Sequence, residues 1–167
     1  KSQLEKELTL AKKNKFVFTE QIKNYISDNF SLIEEETEPV LFHNDFQGQN
    51  IIVREGPKGI EVNGLIDFDN WSIGVRAQDF VKMKYWTLRP VRAPELNAKL
   101  MEGYKKVSKM DLDNMEKKID VYSVIWLLKV YNFEMSRKKR SEVNPTVDAR
   151  FPEPEYYVFE LKRILGL

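Results

Sequence analysis

The chain has 167 residues and a mass of 19.8 kDa, with 42% hydrophobic and 32% charged residues; at that length one core can bury roughly 70% of the surface of the unfolded chain without a covalent or metal staple. It contains no cysteine, which excludes disulfides, thiolate zinc sites and cysteine nucleophiles and fits a reducing compartment, with the cytoplasm as the default. With 27 Lys and Arg against 26 Asp and Glu there is no basic surplus for nucleic acid, and the longest apolar stretch, residues 121–131, falls short of the roughly 20 residues of a membrane span.

The first 33 residues read as two helices. Leu4, Leu8 and Ala11 share one face of the first, and Ile22, Ile26 and Phe30 follow Thr19, a candidate cap for the second. The acidic run at residues 34–38, closed by Pro39, predicts a loop, after which Val40, Leu41 and Phe42 form a short apolar strand. Residues 50–54 and 59–68 predict a β-hairpin, because Gly56, Pro57 and Gly59 supply its turn. A helix is expected from Asp79 through Trp86, and another over residues 94–109 with Pro94 in its first turn. Residues 114–135 are apolar nearly all round in the middle, the signature of a buried helix. A polar loop then leads to a last short helix that carries Tyr157, Leu161 and Leu165 on one face. No repeat interrupts this order, so a single domain over residues 1–167 is expected, divided into leading helices (1–39), a central segment (40–80) and a helical subdomain (81–167).

Chemistry concentrates in the central segment. His43, Asp45 and Asn50 fit H-x-D-x-x-x-x-N, a pattern that arises by chance in on the order of one chain in a hundred of this size. After the hairpin an apolar strand ends in Asp67-Phe68-Asp69. An Asp at such a loop can orient a hydroxyl and take its proton, while an amide oxygen and a second carboxylate can hold a hard cation against phosphates. Asp45, Asn50 and Asp67 suit those roles, and a hairpin would bring Asn50 and Asp67 to the same end of adjacent strands. Oxygen ligands favour Mg²⁺ or Mn²⁺ over zinc.

These motifs resemble those of the aminoglycoside phosphotransferase and choline kinase superfamily, whose segments read H-G-D-x-x-x-x-N and later I-D-F/W; Asn44 and Gln47 bring the loop closer to the H-N-D-x-Q-x-x-N form of choline and ethanolamine kinases. The resemblance implies a protein-kinase-like fold, ATP as co-substrate, a metal, and a small hydroxyl-bearing acceptor. It implies Asp45 as catalytic base, Asn50 and Asp67 as metal ligands, His43 and Asp79 as supports of the loop, and Asp69 and Gln47 as possible additions. It is firm over residues 41–80. Gly74-Val75-Arg76 stands where relatives often have Gly-Asp-Pro or Gly-Asp-Arg. No Gly-rich loop or strand Lys precedes the motif, and the first 40 residues are too few and too helical for a nucleotide lobe. The chain begins at Lys1, so a longer protein is expected. The expected class is therefore α+β and mostly helical: the C-terminal lobe of a kinase-like fold with a small hairpin at the catalytic loop, inactive by itself.

Plainer readings stand beside these. His43 alone is more often a hydrogen-bonded core residue, and Asp79 a brace or cap. Trp71, Tyr85, Trp86, Trp126 and Tyr131 could cage a quaternary ammonium, but large aromatics at helical spacing more often fill cores. The acidic run fits a solvated loop, and residues 137–140 the basic end of a long helix. The alternative function is a non-catalytic kinase-like binding or structural protein. A phosphohydrolase built on Asp67 and Asp69 lacks further ligands, since His43 is the only histidine. Sequence leaves the acceptor, the choice of ATP or GTP, and the oligomeric state open.

Overall fold

The computed structural model describes residues 2–34, 39–89, 94–108, 114–143 and 153–167. The chain divides into two compact units, one made of Lys1–Ile33 with Asp120–Leu167 and the other of Glu34–Ile119. Among the described residues no helix is long and apolar enough to cross a membrane.

The first unit is helical. It holds α1 (Ser2–Lys13), α2 (Thr19–Asp28), α7 (Pro154–Leu165) and the greater part of α6 (Met115–Val143), with α3 (Phe30–Glu34) at its edge. Its core includes Leu8, Ala11, Ile22, Ile26, Val121, Val124, Leu127, Leu128, Tyr131, Tyr157 and Leu161, apolar positions on helices, with Phe16 from the turn after α1. Asn132 ties α6 to α1 and the turn after it: its Nδ2 donates to the backbone oxygen and to Oε2 of Glu7, both at 2.9 Å, and its Oδ1 accepts from Asn14 at 3.1 Å. All three contacts are partly or wholly buried, so they select one packing over its neighbours.

Two sequence expectations change here. Thr19 does not cap α2; Phe18 stands at the cap without a side-chain hydrogen bond, and Thr19 is buried in the first turn. The helix expected over residues 114–135 runs on to Val143, so that Arg137, read as part of its basic end, lies within it, buried and ion-paired with Glu134 one turn earlier. The acidic residues 35–38 lie outside the described residues.

The second unit positions the polar motif. Strand β1 (Val40–Phe42) pairs antiparallel with β4 (Ser72–Gly74), and β2 (Ile51–Gly56) with β3 (Gly59–Leu65), through registers Phe42↔Ser72 and Ile51↔Leu65. Gly59, at φ 108°, supplies the turn conformation that L side chains avoid. The β3 strand stops at Leu65, three residues short of the expected Phe68, because Asp67 turns left-handed (φ 67°) and Phe68–Asn70 closes into a tight 3₁₀ turn. Helix α4 (Ala77–Lys82) winds on into a π-helical turn, Met83–Leu88, in which the Arg89 amide donates to the carbonyl of Lys84, five residues back, at 2.8 Å. Helix α5 (Pro94–Val107) follows. The core here is Phe42, Ala77, Phe80, Val81, Met83, Tyr85 and Met101, with Phe80 set edge-on to Tyr104. Taken by units, the chain is mostly helical with two small antiparallel sheets, which is consistent with the expected kinase-like architecture. Of the five aromatics weighed as a cage, Tyr85 and Tyr131 are core residues, whereas Trp71, also expected in the core, is 56% exposed.

Candidate active site

The loop between β1 and β2 carries most of the polar motif. Its backbone is held by one carboxylate: Asp79 of α4 accepts the His43 amide on Oδ2 at 3.0 Å and the Asn44 amide on Oδ1 at 2.9 Å. Two successive amides can converge on one group because Asn44 is left-handed (φ 59°), a conformation that Gly and Asn tolerate best. That constraint accounts physically for Asn at a position where the resembling pattern has Gly or Asn. The Asn44 side chain also donates to the carbonyl of Asn70 at 3.0 Å.

His43 is buried, and its Nε2 lies 2.9 Å from the carbonyl oxygen of Ile66. A carbonyl only accepts, so Nε2 carries the proton. Its Nδ1 is buried without a hydrogen-bond partner among the described residues, and the ring packs 4.3 Å from that of Phe68. The imidazole thus links the loop to the segment that bears Asp67.

Asp45 is the hub. Its Oδ1 accepts from Gln47 Nε2 at 3.0 Å and from Lys82 Nζ at 2.7 Å, while Oδ2 accepts from Asn50 Nδ2 at 3.1 Å. Asn50 Nδ2 donates also to the Asp45 backbone oxygen at 2.9 Å, which fixes the amide so that its Oδ1 faces away from that bond. Asp45, Gln47 and Asn50 are all buried. Burial pushes the Asp45 carboxyl up, but the Lys82 ammonium, with the Gln47 and Asn50 amides, outweighs it and holds the carboxyl below the usual aspartate range.

A carboxyl whose folded pKa lies below its unfolded value of about 3.9 stabilises the fold at pH above that value, and the contribution is lost as pH falls through the folded pKa. The stability gap between the wild type and Asp45→Asn, measured by urea unfolding, should be widest at neutral pH and should narrow below about pH 4. A gap that stays constant down to pH 3 would contradict the ionised pair.

Asn50 and Asp67 come together through the ladder: Ile51 pairs with Leu65, and the Ile66 amide donates to the Asn50 carbonyl at 3.0 Å. Asp67 and Asp69 are exposed, and neither side chain makes a hydrogen bond among the described residues. Asn50 Oδ1 makes none either. An amide oxygen and a carboxylate left with open lone pairs at one end of a hairpin are a fitting partial ligand set for Mg²⁺ or Mn²⁺, which takes one or two protein oxygens and completes its shell with water and phosphate. Among the described residues no group of three or more His, Asp or Glu could hold a metal alone.

Sequence reasoning missed two residues. Lys82 reaches Asp45 from α4, and Thr87 accepts the Gly48 amide on Oγ1 at 2.7 Å. Lys82 had a readable signal: it stands three residues after Asp79, on the same helix face. Thr87 had none.

A family model, that of the phosphotransferase enzyme family, matches residues 3–116, which include every residue of this network. No curated protein and no solved structure matches the chain.

Proposed function

The chain belongs to the phosphotransferase enzyme family, and from that premise we propose that it is the C-terminal catalytic lobe of an ATP-dependent enzyme that phosphorylates the hydroxyl of a small acceptor, an aminoglycoside, choline, ethanolamine or a similar alcohol. The observation that carries this reading is the pairing of a buried, hydrogen-bonded, ionised Asp45 with two open oxygen donors, Asn50 and Asp67, at one end of the hairpin. The helical character of residues 2–34, with no strand described before Val40, supports a nucleotide lobe supplied by other sequence.

In the reaction the acceptor oxygen forms a bond to the γ-phosphorus, the bond from that phosphorus to the bridging oxygen breaks, and ADP leaves. Asp45 orients the hydroxyl and takes its proton. Gln47 and Asn50 hold the carboxylate in one rotamer, so no reorganisation is needed when the acceptor binds. Asn50 and Asp67 would hold the metal, which supplies neutralisation of the charge on the phosphates. His43 and Asp79 act on the backbone: one joins the loop to Ile66, the other fixes the amides of residues 43 and 44.

Titration of the full-length protein with ATP, with and without Mg²⁺, tests this. Binding should require the metal, and Asp67→Ala should weaken it by about tenfold or more, the scale on which changes around a metal site act. Nucleotide binding equal in Mg²⁺ and in chelator, and indifferent to Asp67→Ala, would defeat the reading.

A further inference from the structure

Within the second unit the Lys82–Asp45 pair is more than the loop's geometry needs. Gln47 already holds Oδ1 of Asp45 and Asn50 holds Oδ2. Ordering a lysine and partly desolvating its charge is costly, and a pair of this kind is weak evidence for stability as such. Lys82 is nevertheless drawn in to 2.7 Å, with its side chain only 22% exposed and its ammonium 5.6 Å from the centre of the Trp86 ring.

An ammonium has three donors. Among the described residues Lys82 uses one, the bond to Asp45, which leaves two N–H groups in a half-buried position. The same residues bring no other cation into hydrogen-bonding contact with Asp45, Asn50 or Asp67.

Position settles what those donors can reach. A base must stand within hydrogen-bond distance of the hydroxyl it serves, and the attacking oxygen approaches phosphorus to about 3–3.5 Å before reaction. If Asp45 serves as that base, a cation bonded to it stands within reach of the phosphoryl group in transit, whose three equatorial oxygens carry the charge to be neutralised. A compact ammonium acts on such oxygens as a point charge.

We propose that Lys82 is a catalytic residue that hydrogen-bonds the transferred phosphoryl group with the donors it does not spend on Asp45. The proposal rests on the phosphotransferase reading of the site and adds to it a cation contributed by the helix that follows the motif.

The test is nucleotide discrimination, which a merely structural ion pair would not move. Dissociation constants for Mg²⁺·ATP and Mg²⁺·ADP are measured by calorimetry on the full-length wild type, Lys82→Met and Lys82→Arg. The wild type should prefer ATP; Lys82→Met should lose about tenfold of that preference, with ADP affinity changed less than about threefold, and Lys82→Arg should restore most of it. Should Lys82→Met misfold because Asp45 is left unpaired, the comparison moves to Asp45→Asn against Asp45→Asn/Lys82→Met, which removes both charges. The ATP preference should collapse only in the double variant. A wild type without the preference, or a preference that survives removal of Lys82, overturns the role of Lys82. If Mg²⁺-dependent binding and its sensitivity to Asp67→Ala persist in that case, the phosphotransferase reading stands. A wild type that binds neither nucleotide in a Mg²⁺-dependent way takes down both.

Discussion

Asp45→Asn should lower phosphoryl transfer by the full-length protein by roughly 10²–10⁴-fold, the usual contribution of a positioned acid or base, while Mg²⁺·ATP affinity changes little. The separation follows from the proposed division of labour in the loop, in which Asp45 would serve the acceptor hydroxyl and Asn50 and Asp67 would hold metal and nucleotide. An amide at position 45 also turns one acceptor oxygen into a donor. That new N–H group meets either Asn50 Nδ2 or the Gln47 and Lys82 donors, so two donors face each other inside a buried cluster. A stability loss of about 1–3 kcal/mol is expected from that mismatch, and activity should therefore be read at a temperature where circular dichroism shows both proteins folded. Turnover is followed as ADP release against a panel of aminoglycoside and amino-alcohol acceptors. Transfer by the variant within a few-fold of wild type would remove Asp45 from the chemistry, whatever the family.

Asp79→Ala should be the most damaging single change to the second unit that leaves its apolar core intact. Both carboxylate oxygens are committed to backbone amides, those of His43 and Asn44, and each bond to a charged acceptor is worth about 1.5–3 kcal/mol. Asn44 is exposed and water can replace one of the two bonds, so the expected loss is about 2–4 kcal/mol. It should appear as a lower urea midpoint with an unchanged slope. Asp79→Asn keeps one acceptor and should fall between. A midpoint that moves by less than the equivalent of about 0.5 kcal/mol, the range of ordinary surface substitutions, would show that the loop holds its shape without this carboxylate.

The parts of the site that were legible in the sequence are those made by short-range geometry. His43, Asp45, Gln47 and Asn50 fall within eight residues of one another, and a turn between two short strands is enough to bring them together. The hairpin announces itself through Pro57 and Gly59. Strand β4 did not, because Ser72, Ile73 and Gly74 show no alternation and their pairing with β1 spans about thirty residues of chain. Trp71 misled for a related reason: hydrophobicity says that a side chain gains by burial, but Trp71 follows the 3₁₀ turn that ends the Asp67 segment, where local backbone geometry governs its direction. Thr19 was misread because a hydroxyl at a helix start serves equally as cap or as a buried first-turn residue. Lys82 depended on which face of α4 turns to the loop, and that face follows from the placement of Asp79.

The π-helical turn after Lys82 sets an angular phase. In an α-helix, residues five apart point about 140° away from one another, since each step advances roughly 100°. Where the hydrogen bond instead spans five residues, as from Arg89 back to Lys84, each step advances less and positions five apart draw nearer to one side of the helix. Lys82 and Thr87 are five apart, and both address the same loop, one at Asp45 and the other at Gly48. The widened turn works as a vernier between two fixed marks: it lets one helical segment grip the loop at two points three residues apart. A regular α-helix there would keep Lys82 in place and carry Thr87 round to another side.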